Sequence, residues 1–247
     1  HWWVYVGIGL AILGWFYRFE TRHPSPIVPP DLLHHPPIAW MIVNSFLACA
    51  SLFGTSTYIP MFLQEEGYSI ELSGLALFGM SMGWMAVSVK AGKWILRWGY
   101  KPLLIIGNGL LVLSGIMLAL LQEGTAYLYV AATMVVQGLA YGLIVTVSII
   151  GSQQLVAPDR KGVSTSLQMF ARNTGTAVGV TIMGAFLNLQ ADFYHGIRDM
   201  FFYGVVVSVL AFLTAFCIEG RPEAAEAAGD PEGRLTADIS SRQPTGK

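Results

Sequence analysis

Charge is scarce in this chain. Only 12% of its residues are Asp, Glu, Lys or Arg, against 54% that are hydrophobic, where a soluble domain carries about a quarter charged. With a mean hydropathy of +0.56, that shortage excludes an ordinary soluble domain. A basic excess is missing too: the formal net charge is -1, so nothing argues for nucleic acid, and the 14 Lys and Arg carry information by position. Cysteine is nearly absent. Cys49 and Cys217 both fall in apolar spans, where a small buried thiol is the ordinary occupant, so neither a disulfide nor a thiolate metal site is expected. No HExxH and no pair of intramembrane carboxylates occurs, which removes two signatures of a membrane-embedded enzyme. His23, His34 and His35 lack Cys or carboxylate companions at ligand spacing, so no metal is expected, and no motif implies a cofactor.

What is present is a series of long apolar spans, and these predict an all-α integral membrane protein. Residues 1–17 form an apolar helix bracketed by Trp2, Trp3 and Tyr5 at one end and Trp15, Phe16 and Tyr17 at the other, as at two membrane interfaces. The chain opens inside this span without a charged leader and cleavage site, and reads as the C-terminal part of a longer protein. Residues 18–37 hold six of the 12 prolines and are expected to be a surface linker. Residues 38–218 carry six further spans: Ala39–Leu63, Leu72–Val89, Leu103–Leu121, Ala126–Ile150, Val163–Leu189 and Met200–Ile218. Residues 219–247 are polar, punctuated by Pro and Gly, and expected to be a disordered tail.

Loop charge sets an orientation. Arg18, Arg22, Lys90, Lys93, Arg97, Lys101, Arg160, Lys161 and Arg221 lie in or beside alternate connections, while Gln64–Glu71, Gln122–Thr125 and Gln190–Asp199 hold only Arg198. The positive-inside rule places the first set, Lys90–Pro102 and the C-terminus included, in the cytoplasm of a multi-pass cell-membrane protein.

One span carries a full charge. Arg172 lies nine residues past Val163, about 13 Å along a helix axis and so near the centre of a hydrocarbon core roughly 30 Å thick. Insertion of a central Arg costs roughly 2.5–3.5 kcal/mol, so it is expected to face other helices or water. Thr165, Gln168, Arg172, Thr176 and Gly179 share its face. Asn44, Ser51, Thr55 and Tyr58 form a second stripe running toward Gln64, and Gln137, Tyr141 and Ser148 a third. Together the stripes predict a shared wet cavity, with interhelical hydrogen bonding as the alternative for each residue. Gly138/Gly142 and Gly175/Gly179 have the small-xxx-small spacing of close helix packing. No carboxylate lies within a span, so a proton-titrating group is expected in the absent N-terminal part or at a span boundary.

From Gly92 the chain reads GKWILRWGYKPLL, which resembles the cytoplasmic G-x-x-x-D-R-x-G-R-K signature of the major facilitator superfamily. Gly92, Arg97, Gly99 and Lys101 match, while Leu96 stands at the acidic position and Tyr100 at the first basic one. The order FETRHP at 19–24, YIPMFLQEEGYSIELSG at 58–74, this signature and LQMFARNTGTAVGV at 167–180 resembles the C-terminal half of the fourteen-span drug:proton antiporters. The resemblance implies a major facilitator fold: one linker helix, then a six-helix C-terminal half built from two inverted three-helix repeats, the first helix of each lining a central cavity. It implies export of amphipathic, often cationic small molecules in exchange for protons, with the lipid bilayer and a missing N-terminal half of the same protein as partners. Carriage of another cargo, such as a metabolite, siderophore or sugar, and a non-transporting scaffold are the alternatives.

Overall fold

The structure, a computed structural model, describes Trp15, Arg18 and residues 36–189 and 193–218. Most of the opening helix, most of the linker with His23, His34 and His35, and the tail lie outside the described residues. Six long helices follow one another: α1 (Pro36–Glu65), α2 (Ile70–Trp98), α3 (Tyr100–Ala119), α4 (Tyr127–Gln154), α5 (Lys161–Leu189) and α6 (Phe193–Phe216), with a 3-10 turn at Pro158–Arg160 before α5. No strand occurs among the described residues.

Five of the six helices are long and apolar enough to cross a membrane; α5 is the exception. Its 29 residues suffice in length, but it is less apolar than the span expected at Val163–Leu189. Ser164, Thr165, Ser166, Gln168, Arg172, Asn173, Thr174 and Thr176 crowd its first half, so its apolar surface is concentrated toward Leu189.

Several boundaries move outward. Pro36 and Pro37 belong to the first turn of α1 instead of the linker, because a residue at a helix start has no intrahelical use for its N–H. Ser69 opens α2, its hydroxyl accepting from the Leu72 N–H at 3.3 Å. Lys90–Pro102 is not a loop. Lys90, Lys93 and Arg97 ride on α2 to its end, since Lys and Arg are good helix formers. Gly99, at φ +80°, then makes the whole corner into α3, its N–H bonding the Ile95 carbonyl at 2.8 Å. His195, Arg198 and Asp199, expected in a connection, lie in the first turns of α6. Cys217 lies just past α6 and is exposed, unlike buried Cys49; both thiols are free.

The most extensive pairings join α2 to α4 and α1 to α5; next come α3 to α4, α1 to α6 and α3 to α6. Divided into α1–α3 and α4–α6, the chain packs the first helix of each triplet against the second of the other, which is the two-fold pattern of a pair of three-helix repeats. Glycine makes the close pairs possible. A Cβ at Gly175 or Gly179 would overlap the backbone of Phe46 or Ala50 on α1, and one at Gly138 would overlap that of Met80 on α2. Lipid gives apolar helices no reason to associate, so this contact area does the work of cohesion. At the end carrying Glu66, one carboxylate ties two connections to the start of α6: it accepts from the Gly124 N–H at 2.8 Å and from the Tyr194 hydroxyl at 3.0 Å.

Candidate functional site

The polar stripe of α1 does not line a wet cavity. Asn44 is fully buried; its amide donates to the Ala211 carbonyl at 2.7 Å and Thr214 Oγ1 at 3.0 Å, and it exchanges hydrogen bonds of 3.2 and 3.3 Å with Asn108. Ser51 donates to the Gly204 carbonyl at 2.9 Å, and Tyr58 to the Val180 carbonyl at 3.1 Å. Thr55 accepts from the Gln137 amide at 2.7 Å, inside the bundle. Gln64 is exposed at the helix end, where its carbonyl accepts from the Gly67 N–H. The helical period put Asn44, Ser51 and Thr55 on one face; that face meets α3, α4 and α6, not water. Gln168, also fully buried, accepts from the Ser45 hydroxyl at 2.9 Å.

The open volume lies elsewhere. A groove of about 770 Å³ runs between α2, α4 and α5, and Arg172 is the one charged residue among its described lining residues. Phe78, Met82, Met85 and Val89, at steps of four, three and four, form its α2 wall, joined by Trp84 and by Met169 of α5. Ser81, Ser88 and Thr146 supply its hydroxyls. A smaller pocket of about 190 Å³ near Tyr194 is lined by charges of both signs, Glu123 and Arg198, at the Glu66 end.

Arg172 is held in place. One terminal nitrogen donates to the Tyr141 hydroxyl, and its Cζ lies 5.5 Å from the Tyr141 ring centroid. That ring is itself gripped edge-on by Phe53 and by Trp84, each at 5.3 Å between centroids. Trp84 reaches it because Gly142 lets the α2 backbone come close: a Cβ there would stand 3.0 Å from the Trp84 carbonyl oxygen. The Cys49 thiol is a further neighbour of the guanidinium. Arg172 Nε is buried without a hydrogen-bond partner, as are Gln137 Oε1, Ser148 Oγ and Gln168 Nε2. None of the described carboxylates pairs with Arg172.

Of the expected cavity residues, then, the structure brings Arg172 to the groove with Tyr141 behind it, and places Asn44, Ser51, Thr55, Gln137 and Gln168 in helix packing. The α2 wall went unread. Its signal was the apolar stripe from Phe78 to Val89, indistinguishable in sequence from a lipid-facing surface. In the signature, Gly99 is the corner, Arg97 is exposed in the last turn of α2, and Gly92 has nothing within 4 Å of where a Cβ would sit. Lys101 is half-buried in the first turn of α3. Trp94 and Trp98 of α2 stack nearly parallel at 6.1 Å. Among the described residues no cluster of His, Cys, Asp and Glu could hold a metal.

The distinction between groove and packing is measurable in protein lacking Cys49 and Cys217. Cysteines at Ser81 and Thr146 are expected to react with a water-soluble maleimide roughly tenfold or more faster than cysteines at Ser51 and Gln137, since thiol reactivity follows access. Equal rates would refute the groove.

A family model described as Major Facilitator Superfamily matches residues 2–180 and 91–244. The chain is 28% identical over 195 residues to the multidrug transporter protein MdtP of Bacillus subtilis strain 168, covering 76% of this chain and 36% of that one. It is 24% identical over 188 residues to the multidrug efflux pump SdrM of Staphylococcus aureus strain N315, covering 76% and 41%. To a tetracycline resistance determinant of Streptomyces rimosus it is 27% identical over 181 residues, covering 71% and 52%. The chain thus spans about a third to a half of the length of these curated relatives. A crystal structure of the nucleoside transporter NupG superposes with a TM-score of 0.61 at 14% identity, over 77% of this chain and 50% of that one, and shares the fold.

Proposed function

Because the chain belongs to the major facilitator superfamily, we propose that it forms the C-terminal six-helix half of a secondary active transporter that exports amphipathic compounds, cations among them, in exchange for protons. An N-terminal half of the same protein completes the machine, and alternating access rocks the two halves about a midplane site. The observation that carries this reading is the groove: apolar and aromatic walls, three hydroxyls and one anchored guanidinium. Its volume falls within the range of drug-sized sites, and flexible methionines accommodate varied shapes. Such walls suit amphipaths better than a heavily hydroxylated sugar. Names of relatives that handle drugs, MdtP and SdrM, lean the same way.

The basic residues Lys90, Lys93, Arg97, Lys101, Arg160 and Lys161 gather at one end of the bundle, at the α2–α3 corner and the α4–α5 connection, while Glu65, Glu66, Glu71 and Glu123 mark the other. That asymmetry supports a cell-membrane protein with the basic end and the C-terminus in the cytoplasm. None of the described residues lining the groove is a carboxylate. In this reading the proton-titrating acid, and any counter-charge for a cationic cargo, come from the other half.

Full-length parent protein in proteoliposomes with an imposed pH gradient provides the test. Addition of ethidium or another lipophilic cation is expected to release protons across the membrane. A folded, monodisperse protein that moves no protons with any of a broad panel of amphipaths would remove the drug:proton assignment and leave another cargo on the same fold.

A further inference from the structure

We infer that the groove between α2, α4 and α5 seats the acid group of an amphipathic anion against Arg172, with the apolar body laid along the α2 wall. The inference rests on the transport reading for the groove's role as a cargo site, and narrows it to a charge class.

Arg172 is the one charged residue among the described residues lining the groove. The guanidinium donates to the Tyr141 hydroxyl and has the Cys49 thiol beside it, while Nε has no partner among the described residues. Arg172 thus faces the groove as a cationic, planar donor held from behind by Tyr141, and a guanidinium grips a carboxylate through paired N–H···O bonds. Tyr141 cannot swing away, being clamped by Phe53 and Trp84. The remaining volume runs past Trp84, Met82 and Met85, a wall that takes a flat or flexible apolar body. The sign of the field is set locally: a guanidinium with no carboxylate partner among the described residues attracts an anion and repels a cation of equal size and shape in a low-dielectric groove.

A matched pair of probes separates these: 1-pyrenebutyrate, and the same pyrene chain ending in trimethylammonium. Binding to full-length protein in nanodiscs is read by energy transfer from tryptophan to pyrene. Wild-type protein is expected to bind the carboxylate at least tenfold more tightly than the ammonium compound. Arg172→Gln should weaken carboxylate binding at least tenfold and leave ammonium binding unchanged or tighter, and Tyr141→Phe should weaken the carboxylate alone by a smaller factor. Equal affinity or cation preference in the wild type overturns the inference, as does carboxylate binding that survives Arg172→Gln. The wild-type comparison stands even where the glutamine variant does not fold. Cation-driven proton release without carboxylate binding would sink this inference and keep the transporter; Arg172-dependent carboxylate binding without proton movement would do the reverse.

Discussion

A leucine in place of Gly138 is expected to leave little or no folded full-length protein after detergent extraction, judged by size exclusion and thermal melting. A Cβ at this position would overlap the Met80 carbonyl oxygen and stand 2.7 Å from its carbon and 2.8 Å from Met80 Cα. All three are backbone atoms. No rotamer change relieves the clash, so α2 and α4 must separate. The seam is tight on both sides: a Cβ at Gly83 would lie 2.9 Å from the Leu139 nitrogen and 3.1 Å from the Gly138 carbonyl carbon. Ordinary overpacking costs ~1–3 kcal/mol when side chains can shift, and a displaced helix pair should cost more. Separation would also pull Trp84 off Tyr141 and open the groove at its base. The same reasoning applies to Gly179, whose Cβ would overlap the Ala50 carbonyl and stand 2.6 Å from Ala50 Cα. Gly92→Ala is the control. Nothing lies within 4 Å of that position, and exchanging Gly for Ala inside a helix gains up to ~1 kcal/mol, so its melting temperature should hold or rise. Wild-type melting of Gly138→Leu would show that the two helices do not touch as described.

Those glycines were legible because their meaning is local. Gly138/Gly142 and Gly175/Gly179 advertise a close approach by spacing alone, and only the identity of the partner helix waited on the structure. The six helices were legible for a similar reason, as apolar runs broken by short polar connections. Their ends were not. Whether Lys90, Lys93 and Arg97 continue a helix depends on the backbone at Gly99, and the sequence treats a charged helix end and a charged loop alike.

Polarity along a stripe was the least informative signal. Asn44, Ser51 and Thr55 read as a cavity face, yet they hydrogen-bond to Asn108, Gly204 and Gln137 across the bundle. A buried polar group needs a partner whether the neighbour is water or a carbonyl, so both environments select the same residue types. The converse error hid the α2 wall: Phe78, Met82, Met85 and Val89 would serve equally against lipid. Arg172 escaped the ambiguity because neither lipid nor a dry interface tolerates an unpaired guanidinium cheaply. A charge restricts its surroundings more than a hydroxyl or a methionine does, and the groove was found where the charge is.

Arg172→Lys is accordingly expected to fold and to fail. Lysine keeps the charge and much of the apolar stem, so α5 should insert and pack as before. It lacks the planar fork that lets one terminal nitrogen hold the Tyr141 hydroxyl while another edge stays free for the groove. A hydrogen bond made by a charged group is worth ~1.5–3 kcal/mol, which corresponds to roughly a ten- to hundredfold effect; export by the full-length protein should fall by that order. Tyr141→Phe retains the ring, and with it the contacts to Phe53 and Trp84, but removes the hydroxyl, so its loss should be smaller. If the two residues act as one unit, the double variant should export no less than Arg172→Lys alone, and the cycle should show a coupling within the ~0.5–3 kcal/mol seen for touching residues. Additive losses would mean that Tyr141 and Arg172 act separately. Full export by the lysine variant would reduce Arg172 to a buried positive charge whose shape the protein does not use.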